Sequence, residues 1–162
     1  DTSVTGVQTC ALPIYRWNQI SWRPNALGTR IANWIRHSEF ILSSSEASFK
    51  SAFINSLLRQ ARHLSRVSDN TLPGAERVAV LKGLILADLA IYQSKNQRQL
   101  QKKLVIEIKK QLLEDGCSYE RNPSQQLNLL KDLIDIRAAY RSKNELPPPE
   151  LKSAIEIGRA HV

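Results

Sequence analysis

Residues 75–92 read AERVAVLKGLILADLAIY. Val78, Val80, Leu81, Leu84, Ile85, Leu86 and Leu89 are spread around every side of a helix drawn through them. A helix that is apolar all round has to be buried between neighbours. The neighbours are visible on both sides in the sequence. Ala47 to Val67 carries Phe49, Phe53, Leu57, Ala61 and Leu64 at helical spacing, with Arg59, Arg62, His63 and Arg66 on the other side. Arg30 to Leu42 places Ile31, Trp34, Ile35 and Ile41 on one stripe. Gln97 to Leu113 repeats the pattern through Leu100, Leu104, Ile108 and Leu112.

The punctuation between these runs is helical too. Ser94 with Gln97 three residues later predicts a capping box. Asp115-Gly116 predicts a C-cap, because glycine accepts the left-handed conformation needed there. Asn122-Pro123 predicts a helix start, with asparagine as N-cap and proline in the first turn. Leu127, Leu130, Leu133 and Ile134 then form a stripe running to about Tyr140. Pro147 to Pro149 interrupts the chain, and a further helix can open at Glu150. No segment alternates with period two for long. The expectation is an all-α fold of antiparallel helical hairpins.

Composition bounds the rest. The chain has 162 residues, 42% of them hydrophobic, which is enough for a core in a single domain. The net charge of +8 is too small for a disordered polycation. No apolar run approaches the roughly 18 residues a membrane span needs. The two cysteines are too few for a disulfide scaffold. The chain contains no Met, and its ends are unusual. Residues 4–14, VTGVQTCALPI, and 156–162, EIGRAHV, back-translate in frame to the two strands of a common short-read sequencing adapter. The expectation is that 1–14 and 156–162 are adapter-derived and that 15–155 is the biological insert. Cys10 then leaves with the first run, and Asp1, Glu156 and Arg159 leave the charge count. The insert is more basic by one charge than the whole chain.

No zinc spacing, P-loop, dinucleotide fingerprint or nucleophile elbow occurs, so no metal and no cofactor is expected. Cys117 lies in a loop after a glycine and reads as an inert thiol or, less simply, a nucleophile. His63 reads either as a base or as a surface histidine among arginines. The basic excess has two readings. Lys102, Lys103, Lys109 and Lys110 fit the solvated face of an amphipathic helix, and the excess also suits a polyanion. No aromatic interleaving or recognition helix supports nucleic acid as that polyanion.

Three ordered blocks carry a family resemblance. Trp22-Arg23-Pro24 followed by Arg30-Ile31-Ala32-Asn33-Trp34-Ile35 is similar to the W-x-P…R-I-x-N-W-I opening of heparinase II/III-type polysaccharide lyases. Gln60-Ala61-Arg62-His63-Leu64-Ser65 resembles that family's Q-x-R-Y-L-S helix. Asp115 to Pro123, then Leu127 and Asp132-Leu133, resembles its D-G-G-H-x-E-R-S-P…L…D-L run. The resemblance implies part of an incomplete α/α toroid in a bacterial protein, periplasmic or cytoplasmic. The missing remainder would be more toroid helices and a C-terminal β-sandwich.

The implied parent cleaves uronic-acid-containing acidic polysaccharide by β-elimination. That reaction needs a neutralised carboxylate, a base for the C5 proton and an acid for the leaving oxygen. In the family an Asn or His does the first job, and Tyr and His the others. The family tyrosine two residues after the proline corresponds to Gln125, which also suits an Asn122 capping box. The G-N-H turn corresponds to Pro73-Gly74-Ala75-Glu76. Asn70, His63 and Tyr119 are the catalytic candidates within the chain. Arg59, Arg62, Arg121 and Gln125 are the candidates for substrate binding, the arginines as charge-assisted donors. The chain by itself is expected to be inactive. The Gln125 departure keeps a second reading open, a non-catalytic helical module for glycan binding or protein interaction.

Overall fold

A computed structural model of the protein describes residues 17–92, 95–113 and 115–159. The 1–14 run, the end of the 156–162 run and the Ser94 cap lie outside the described residues. Among those described there are seven α-helices and no strand. They are α1 (Pro24–Arg36), α2 (Ser38–Leu42), α3 (Ala47–Val67), α4 (Ala75–Ala90), α5 (Gln97–Gln111), α6 (Pro123–Ser142) and α7 (Pro149–Arg159). A 3-10 turn, Ser68–Asn70, extends α3. The fold is all-α.

The apolar helix is the hub. α4 packs on α1, α3, α5 and α6. Val80 and Ala87 face one hydrophobic cluster with Leu27, Ile31, Phe53, Leu57 and Leu64. Val78, Leu81, Ile85 and Leu89 face a second cluster with Leu104, Leu133, Ile136, Tyr140 and Leu151. One helix thus walls two cores, which is why its sequence has no polar side. α1 crosses it at glycine. Gly28 and Gly83 are both buried, and a Cβ on Gly83 would lie 2.6 Å from Gly28 Cα. Backbone meets backbone there.

Several boundaries differ from the sequence expectation. The segment predicted as one helix over 30–42 is two. α1 begins at Pro24, in the first turn where a missing N–H costs nothing, and the chain turns at His37 before α2. α5 ends at Gln111, ahead of Asp115-Gly116. Leu112 is extended and bridges Ser118, so Gly116, at φ 80°, serves the turn of a small hairpin instead of a helix cap. The Gln111 carbonyl is taken by Tyr119 N–H at 2.8 Å. The start of α5 is tied to α4. The buried Asp88 carboxylate accepts Asn96 N–H at 3.2 Å and Gln97 Nε2 at 2.9 Å. The buried stripe of α6 is Leu129, Leu130, Leu133, Ile136 and Tyr140. Leu127 is exposed.

The Asn122 cap is as expected. Its Oδ1 accepts Ser124 N–H at 2.9 Å and, more weakly, Gln125 N–H at 3.4 Å. Asn122→Ala is expected to cost about 1 kcal/mol, read as a lower urea midpoint at unchanged m-value. An unshifted midpoint would show that this cap is idle.

Candidate functional site

A cleft of about 920 Å3 lies between α1, the start of α4 and the start of α6. Its walls follow from helix periodicity. Arg30, Asn33 and Trp34 share one face of α1, being three and four residues apart. Gln125, Asn128 and Lys131 line one face of α6 opposite. Lys82 and Asp132 form the floor, and Pro73 and Glu76 close the end.

Each wall is braced from behind. Trp34 stacks on Phe53, with ring centroids 4.8 Å apart. The Arg30 guanidinium is held by its Nε to Gln60 Oε1 at 2.6 Å and its Nη1 to the Ser21 carbonyl at 2.9 Å. Gln60 is itself fully buried and donates to Ser56. Arg30 Nη2 is shielded and has no acceptor. The turn before α4 needs Gly74, at φ 122°. Its N–H donates to the buried Glu107 carboxylate at 2.7 Å, which anchors the end wall to α5.

The charges of the cleft are sorted. Lys82 pairs with Asp132 at 2.5 Å, and Arg36 pairs with Asp135 at 2.8 Å just behind. Burial pushes the Asp132 carboxyl above the usual range, against the pull of Lys82. Glu76 accepts Asn25 Nδ2 at 3.0 Å. Lys131 is exposed and has no ion-pair partner among the described residues. The surface therefore offers amides, one indole face and unpaired cations on opposite walls. No histidine or tyrosine is among the described residues lining it. Nor do the described residues hold a group of three or more potential metal ligands.

The sequence candidates separate in space. Gln125 lies in the cleft, half-buried. His63 meets Trp22 edge to face at 5.1 Å, and Arg59 lies 5.8 Å over the same ring. Both decorate the back of α3. Arg62 lines a different pocket. Asn70 is exposed at the end of the 3-10 turn. Tyr119 is 68% exposed, next to the cleft residue Glu120 but not lining the cleft. Arg121 pairs with Asp115 at 3.0 Å on the surface. Tyr140 is fully buried, donates to Gln97 at 2.6 Å and is pushed by burial up to about 12, so it cannot act as a base near neutral pH. Arg30, Asn33, Asn128, Lys131 and the Lys82–Asp132 pair were not singled out from sequence. The signal for the first two was their spacing with Trp34, inside a block noted only for its family pattern.

The three blocks of that pattern do meet here. The first supplies the α1 wall, the second supplies Gln60 behind Arg30, and the third supplies Asp132 and the approach to Gln125. No helix of the described residues is long and apolar enough to cross a membrane. No solved structure matches the chain. FtsZ-localized protein C of Caulobacter vibrioides is 27% identical over 152 residues, which covers 87% of this chain and 24% of that protein. The chain thus spans about a quarter of that relative's length. The family model for the heparinase II/III N-terminus matches residues 7–155. Chain and family agree across nearly the whole length, and the protein belongs to the heparinase II/III N-terminal family.

Proposed function

We propose that the cleft binds a segment of uronic-acid-containing polysaccharide, and that the chain is the N-terminal helical part of a larger lyase of the toroid type. One observation carries this reading: the three family blocks, far apart in sequence, converge on one cleft whose free groups suit a sugar acid. The Trp34 ring offers an apolar face to sugar C–H groups. Asn33, Asn128 and Gln125 offer paired donors and acceptors to hydroxyls. Lys131 offers a charge-assisted donor to a carboxylate, and Arg30, held by Gln60 and the Ser21 carbonyl, adds its positive charge on the opposite wall.

Binding is not elimination. A Gln125 amide takes no proton near neutral pH. The base and acid then come from groups outside the described residues in the parent. Titration calorimetry of this chain against uronate oligosaccharides tests the binding. Lys131→Gln and Gln125→Ala are each expected to weaken it, Lys131→Gln by about tenfold, the loss of one charge-assisted hydrogen bond. No unsaturated uronate should form, so ultraviolet absorbance stays flat. Absence of binding to every acidic glycan tried, by this chain and by the full-length parent, would end the proposal.

The name of the Caulobacter relative, an FtsZ-localized protein, favours a second reading. The same helical domain would then serve as a protein-interaction module. Saturable binding to purified FtsZ with no glycan affinity would select it.

A further inference from the structure

On the opposite side of α4 lies a separate pocket of about 460 Å3, between α3 and α5. Ala79 and Lys82 of α4 face the first cleft, whereas Ala87 and Asp88 face this one. Its rim is cationic. Arg62 and Arg66, one helical turn apart on α3, oppose Lys103 on α5. Like charges at that spacing repel by a few tenths of a kcal/mol (about 0.2–0.5) in an isolated helix. Neither arginine has an ion-pair partner among the described residues.

The two acids of the pocket are already engaged. Asp69 pairs with Lys103 at 2.5 Å, and that bond holds its carboxyl below the usual range. Asp88 is 2% exposed and is consumed by Asn96 and Gln97 at the start of α5. Those donors are neutral amides, so Asp88 has no cationic partner there. The cations left without an ion-pair partner are the two guanidinium forks of Arg62 and Arg66 on the rim. The pocket also offers the Ser65 and Tyr92 hydroxyls and the Gln99 amide. A carboxylate has two oxygens and one charge, and fills only part of that donor set. A tetrahedral oxyanion has more oxygens and, as an ester, up to two charges. The volume exceeds that of a bare ion, and Leu84, Ala87 and Leu100 give its inner wall an apolar part.

We propose that this pocket is a second binding site, for a sulfate or phosphate ester carried on a sugar-sized group. It is separate from the cleft and does not depend on glycan binding there.

Calorimetry and 15N-resolved titration of the 162-residue chain test it, with N-acetylglucosamine 6-sulfate, glucose 6-phosphate, inorganic sulfate, inorganic phosphate and unmodified N-acetylglucosamine as probes. The expected result is saturable binding of at least one ester, tighter than the inorganic ions, with shifts at Ser65 and Gln99. The tighter ester identifies the source of the oxyanion. The unmodified sugar should not bind. R62Q/R66Q should lose at least about tenfold in affinity at unchanged helicity. Lys110→Gln combined with Arg141→Gln removes the same charge from exposed sites elsewhere and should retain binding. Three results would overturn the proposal: no saturable binding of either ester, equal binding of esters and inorganic ions, or equal loss in both double variants.

Discussion

Gly83→Ala is expected to destabilise the protein by about 3 kcal/mol or more, at the top of the usual cost of overpacking. The direction is not obvious from the residue. Glycine inside a helix is a poor choice, and alanine there gains up to about 1 kcal/mol from propensity alone. The crossing overrides that gain. A Cβ on Gly83 would lie 2.6 Å from Gly28 Cα and 2.7 Å from the Gly28 carbonyl oxygen. A Cβ on Gly28 would lie 2.3 Å from the Ala79 carbonyl oxygen. These are backbone atoms of two helices and cannot swing aside as a side chain can. α1 must lift off α4, and the fully buried Leu27 and Ile31 between them lose their contacts. Gly28→Ala should do the same. Gly158→Ala is the control, since its Cβ would meet only Leu130 Cδ1 at 3.4 Å, the end of a mobile side chain. Urea and thermal unfolding check it, with a melting temperature roughly 6–12 °C lower for the two crossing variants. A Gly83→Ala protein within about 0.5 kcal/mol of the parent would show that the two backbones are not in contact.

The contrast between that crossing and the rest of the fold shows what a single sequence carries. The hub helix was readable because burial on all sides leaves a local mark, the lack of any polar face in 75–92. The Asn122 cap was readable because an N-cap and its donors are within three residues. The meaning of Gly28 was not readable, because the partner that forbids a side chain there lies more than fifty residues on. The same holds for Asp115-Gly116. The local signal, a glycine ready for positive φ, was right, but its use in a hairpin turn depends on Leu112 finding Ser118. The stripe of α6 was right at Leu130 and Leu133 and wrong at Leu127, because leucines occur on more than one side of that helix and its packing on α4 and α7 selects Leu129 and Ile136 as well. The cleft was half readable. The resemblance pointed to Gln125, whereas Trp34 read as part of the apolar stripe of Ile31 and Ile35, and Arg30 and Asn33 beside it carried no mark of their own. Which face of α1 borders a void is set by the helices around it.

Asp132→Leu is expected to cost about 2–4 kcal/mol, and Lys82→Met less. Breaking a buried pair by removing one partner typically costs about 3–5 kcal/mol, because the other charge stays behind without compensation. Here the two survivors differ. The Lys82 side chain is 5% exposed, against 16% for Asp132. Without Asp132 the ammonium keeps only Asp135, 3.8 Å away and already paired with Arg36, which trims the penalty without removing it. Without Lys82 the carboxyl has an escape. Burial already holds Asp132 above the usual range, and Lys82 is what lowers it. Removing Lys82 raises it further, so a proton neutralises the group at modest cost. The sign follows from linkage. The folded Lys82→Met protein binds that proton more tightly than the folded parent does, so its deficit shrinks as the pH falls from the variant's value to the parent's own lower, but still raised, value. Asp132→Leu has no such group, and its deficit should not shrink in that window. The double variant, Lys82→Met with Asp132→Leu, should recover most of the loss, since a hydrophobic pair of similar volume often replaces a buried ion pair at little cost. Chemical denaturation of the four proteins at neutral and mildly acidic pH decides the matter. Additive single losses with no recovery in the double variant would mean that the two groups do not depend on each other. A pH-independent deficit in Lys82→Met would mean that Asp132 stays ionised in the floor of the cleft.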